Sequence, residues 1–199
     1  MSPCSPFSHP SPNGVRQETG FNPENSRGSG HAGFPLSFAP QEAVGRAIED
    51  WFDKIHPVAP ILARRRFLRR YRGGEAASNP TYCGLVVSIC AATAATLPRE
   101  HYGPITVTSA VDFIERNGLL VGGFFQAPSS TLDWCISMYN LGTALGSVPG
   151  TDLSDKRSYH KLSEAAMGTR YVAYYCVSQL DYVEQQLTRR LFSLLYVGL

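Results

Sequence analysis

Apolar positions in residues 44–55 recur at the spacing of one helical face: Val44, Ile48, Trp51, Phe52 and Ile55. Arg46, Glu49, Asp50, Asp53 and Lys54 take the other face. The pattern predicts a helix over 40–55, with Pro40 at its first position and Glu42 beside the positive end of the dipole. Pro57 and Pro60 stop it, because proline lacks the amide and restricts the residue before it. A short basic helix over 64–72 follows, in which Phe67, Leu68 and Tyr71 form an apolar stripe among arginines. Gly73 and Gly74 end it.

Asn79 caps and Pro80 opens a helix over 80–96. It has no charge between Asn79 and Leu97, which predicts a central, buried helix. Ser109 with Asp112 reads as a capping box for the next helix. Asn117-Gly118 should end that helix early, since glycine costs ~1 kcal/mol in a helix interior. Ser130 with Asp133 opens a further helix, striped by Leu132, Cys135, Ile136 and Tyr139 and widened by Met138, Leu141 and Leu145. Gly142 and Gly146 would let another helix approach it closely. A helix over 155–175 turns Leu162, Ala165, Ala166, Thr169, Val172 and Ala173 inward, although its end, YVAYYCV, also suits a strand. Ser178 with Asp181 reads as the cap of a last helix along Leu180, Val183, Leu187, Leu191 and Leu194. The fold class is all-α: six longer helices and the short basic one, in a partial multi-helix bundle over 40–199. Residues 1–39, rich in Ser, Pro and Gly, bury too little apolar surface to offset ordering and read as a disordered arm.

Composition narrows this further. The formal charge of +2 favours no particular partner, yet six of the 18 basic residues fall between Arg64 and Arg72. That cluster fits either a phosphate or membrane-surface patch, or a solvated face whose apolar stripe docks inward. Its shortness favours the second. No apolar run approaches the roughly 20 residues that span a bilayer. Five scattered cysteines, Cys4, Cys83, Cys90, Cys135 and Cys176, point to free thiols, and no C-x-x-C suggests zinc. No P-loop, nucleophile elbow or metal-spaced histidine pair is present, so an enzyme is not expected and no cofactor is assigned. His56 reads as a hydrogen-bonding residue of the proline corner.

The arrangement of Trp51-Phe52, His56-Pro57, Pro60-Ile61-Leu62, Phe67-Leu68 and Tyr71 resembles the middle homology region of fungal binuclear zinc-cluster transcription factors. A second stretch, 188–199, resembles that family's later signature through Arg189, Arg190, Leu191, Phe192, Leu195 and Tyr196. It departs at Ser193, Gly198 and Leu199. The resemblance implies the first half of a regulatory domain in a nuclear protein controlling transcription by RNA polymerase II. It implies DNA contact only through a zinc cluster that this chain lacks, since only Cys4 precedes Cys83. It also implies salt bridges for Arg189 and Arg190 inside the bundle, against a DNA-phosphate role. A homodimer, a regulatory protein and a small-molecule effector are the partners it suggests, with no membrane. A bundle cut short would leave its last helix uncovered and favour self-association. Two alternatives stand beside it: a small helical ligand-binding or enzymatic domain with a cavity between the helix over 80–96, the helix opened by Ser130 and the helix over 155–175, or a truncated product without function.

Overall fold

Seven α-helices follow one another, and no strand occurs among the described residues: α1 Gln41–Asp50, α2 Arg64–Arg72, α3 Pro80–Thr96, α4 Val107–Arg116, α5 Leu132–Gly146, α6 Asp152–Tyr175 and α7 Tyr182–Val197. The computed structural model describes residues 38–98, 102–120, 131–148 and 152–197, with the backbone alone at 152–155 and 197. The arm over 1–39, apart from its last two residues, lies outside them.

The expected first helix is two pieces. Pro40 is the cap of α1, and Trp51–Ile55 widens into a π turn closed by the His56 amide on the Trp51 carbonyl at 2.8 Å. Such a turn is rare and short. Here Trp51 and Phe52, adjacent in sequence, are both buried, with their rings edge to face at 5.0 Å.

Helix starts differ in detail from the expected caps. Asn79 does cap α3, accepting from the Tyr82 amide at 3.1 Å. The box opening α4 is Thr106 with Ser109, each hydroxyl accepting from the other's amide, rather than Ser109 with Asp112. A serine here fills the position usual for Glu. Thr131 caps α5, while Ser130 lies outside the described residues. For α7 the cap is Asp181, paired reciprocally with Glu184, and Ser178 sits in the preceding 3-10 turn. α6 begins at Asp152 and stays helical through Tyr175, so its β-favouring end is not a strand. Packing overrides that propensity.

The uncharged α3 is buried from Tyr82 to Ala94, with α1, α4 and α5 packed around it. α5 packs in turn on α6, and α7 lies along α6. Buried hydroxyls tie neighbouring helices together, which satisfies each polar group where it would otherwise cost stability. Thr93 donates to the Ala47 carbonyl of α1 at 3.1 Å, and Ser158 of α6 donates to the Gly142 carbonyl of α5 at 2.7 Å. Asn140 of α5 donates to Ser88 of α3 at 3.3 Å.

Gly142 is where α5 and α6 touch. A β-carbon there would lie 2.7 Å from Leu162 Cγ and 3.1 Å from the Leu162 amide nitrogen. The expected close approach is therefore present. α4 ends at Arg116, as Asn117-Gly118 suggests, and Gly118 takes a left-handed φ of +57°.

Candidate functional site

The proline corner between α1 and α2 is built around aromatic rings. His56 Nε2 donates to the Leu62 carbonyl at 2.7 Å, closing the loop that Pro57 and Pro60 stiffen. The ring stands 5.5 Å from Trp51 and 5.4 Å from Phe52. Phe67 packs on Phe52 at 5.4 Å and on Tyr82 at 5.5 Å, and Tyr71 stacks on Phe67. Tyr82 donates its hydroxyl to the Phe67 carbonyl at 2.8 Å. Burial raises the pKa of Tyr82 and Tyr71 above the ordinary phenol value. Trp51, Phe52, His56, Phe67 and Tyr71 thus form one cluster, to which Tyr82 belongs although the sequence reading did not single it out.

Three of the six arginines of α2 are held by carboxylates. Arg64 pairs with Asp53 at 2.6 Å, and Arg66 with Asp181 at 2.6 Å and Glu184 at 3.0 Å. Arg70 holds Glu75 and Asp133, each at 2.7 Å, and its guanidinium lies 4.1 Å over the Tyr82 ring. The hydrogen bond from Arg70 keeps the Glu75 carboxyl below its usual range. The stripe of Phe67, Leu68 and Tyr71 does dock inward, while Arg65, Arg69 and Arg72 stay exposed. On the polar face of the first helix Asp50 accepts from Tyr102 at 2.7 Å, and Asp53 pairs with Arg64.

The second motif meets the first. Arg190 donates to the Pro60 carbonyl at 3.3 Å, and Leu191 and Leu195 are buried. Neither Arg189 nor Arg190 pairs with a carboxylate among the described residues, so the expected salt bridges inside the bundle are not formed; both side chains stay exposed because α7 turns its leucines inward. Phe192 stacks on Tyr196 at 4.3 Å at the edge of α7.

No family model matches the chain, and no curated protein or solved structure matches it.

No group of three or more His, Cys, Asp or Glu among the described residues is placed to hold a metal ion. Cys83, Cys90 and Cys135 are free and buried; burial pushes their thiols up to about 11, 12 and 12. Raised values keep them protonated, the opposite of a ligand or nucleophile. The described helices bring together no nucleophile with a base. A groove of about 310 Å³ between α6 and α7, with Tyr174, Arg189 and Phe192 in its walls, is the feature that sequence reading missed. Its walls come from α6, α7 and the turn between them, so one helical stripe could not show it.

Proposed function

We propose that this chain is the regulatory middle-region part of a fungal nuclear transcription factor acting on RNA polymerase II transcription, and that it is not an enzyme. The observation that supports the reading is the contact between Arg190 and the Pro60 carbonyl. Arg190 belongs to one and Pro60 to the other of the two stretches on which the resemblance rests, and this hydrogen bond joins them. Specific DNA contact belongs, on this reading, to a zinc cluster that these residues do not encode. Close packing of α5 on α6 also supports it over a cavity between those two helices, since Leu162 fills the space at Gly142 and Trp134 the space at Gly168.

Tethering tests this. The chain is fused to an unrelated DNA-binding domain and brought to a reporter promoter in a fungal host. Reporter output should change, in either direction. The unfused chain should give no electrophoretic shift on a defined operator that survives salt and competitor. A sequence-specific shift by the unfused chain, or a tethered chain that leaves the reporter unchanged, overturns the proposal.

A further inference from the structure

The outward side of α6 and α7 carries several exposed tyrosines and arginines. Met167, Tyr171 and Tyr174 recur at i, i+4 and i+7 along α6, and Tyr174 is 67% exposed. Tyr175 packs against Tyr171 at 5.3 Å. On α7 the Phe192–Tyr196 stack borders the same side. The opposite faces of the two helices bury Val172 and Leu191. The groove between the helices is lined by Ala173, Tyr174, Val177, Leu180 and Phe192 together with the polar Gln185, Thr188 and Ser193. Exposed contiguous apolar surface of this kind marks interaction sites.

Charge selects the occupant. Arg170, one turn from Tyr174, and Arg189, in the groove wall, are exposed and pair with no carboxylate among the described residues. The described acids of this region are engaged elsewhere: Asp181 and Glu184 with Arg66, and Glu164 with Lys161. The rim is therefore cationic. A two-fold dimer through this face would set one cationic rim against another, and like charges across an interface are penalised. Tyrosine and arginine are also the side chains that most often anchor protein partners.

We infer that the α6–α7 groove docks an acidic amphipathic segment of a partner protein, its apolar residues on Tyr174 and Phe192 and its carboxylates on Arg170 and Arg189. Only the partner's regulatory role rests on the function proposed above. The binding itself is measured with purified protein, so its failure and that of the reporter experiment are separate results.

The test selects peptides from a random displayed library on the full 199-residue chain. Net-acidic peptides with apolar residues at helical spacing should be enriched. Their dissociation constants should rise about tenfold or more in Arg189→Glu and in Tyr174→Ala, and stay unchanged in Arg72→Glu on α2. Added salt should weaken them. Thermal unfolding of each variant, followed by circular dichroism, confirms that the fold is kept. Enrichment of neutral or basic peptides, no enrichment, or equal binding by Arg189→Glu overturns the inference. So does a dimer in sedimentation that Tyr174→Ala dissociates, which would assign the face to a second copy.

Discussion

Arg66 donates to the Asp181 carboxylate at 2.6 Å across 115 positions of sequence, so the residue that caps α7 is held by a residue of α2. Asp181 has its carboxyl held below the usual range, first by the Glu184 amide and then by Arg66. Glu75 is held low by Arg70. A depressed folded value contributes stability above the unfolded carboxyl range, about pH 4, and that contribution is lost as pH falls through the folded value. The urea midpoint should therefore drop as pH falls below that range. Asp181→Asn should flatten part of the acid limb and speed hydrogen exchange at the first amides of α7. A midpoint as high in acid as at neutral pH would contradict this.

Gly142→Ala should destabilise the chain by about 1–3 kcal/mol, the usual cost of forcing volume into a packed core. The new β-carbon meets a backbone nitrogen of Leu162 as well as its side chain, so a rotamer change alone does not relieve it. Gly45, with nothing within 4 Å of an added β-carbon, is the control. Alanine there should hold or raise stability, since glycine is the poorer helix former. Urea titration of both variants checks the contrast.

His56→Ala should cost about 1–3 kcal/mol, because the half-buried Leu62 loop loses the donor to its carbonyl. The change is local. Protection of amides in 57–63 should fall before that of α3, as read by hydrogen exchange with mass spectrometry.

Thiol chemistry gives a fourth test. In the native chain at pH 8 a thiol reagent should modify Cys176, which is partly exposed, well before Cys83, Cys90 and Cys135. Peptide mapping reports the order, and urea should abolish it. The pH effect has the opposite sign to that of the carboxylates. Folded thiol values of about 11 to 12 lie above the unfolded value of about 8.5. Their contribution is intact below the unfolded value and is lost as pH rises toward the folded ones. Stability should thus decline in alkali, and Cys135→Ser should shift that decline measurably.

Much of the helix content was legible because helices are local. Pro57 and Pro60, Asn79-Pro80 and Asn117-Gly118 act on their own neighbours, and each boundary falls close to where those residues place it. The early end of α4 is such a case, and Leu120 beyond it fills the space over Gly84 of α3. Caps were less legible. Ser109 stands in the α4 box, but its partner is Thr106, and hydroxyls at several nearby positions offer the same donors and acceptors. The aromatic corner was half visible: Phe67 and Tyr71 share a stripe with each other, yet nothing local links them to Tyr82.

From its residues alone this chain determines where helices run, which stretch must lie at the centre and which side of each cylinder is apolar. Periodicity and punctuation act over a few positions, so they are written locally. Tertiary structure decided the partners of Arg66, Arg70 and Arg190, which lie 115, 63 and 130 positions away. It also decided the π turn at Trp51 and the groove between α6 and α7. An arginine accepts any carboxylate or carbonyl that packing delivers, and only the assembled helices choose which one arrives.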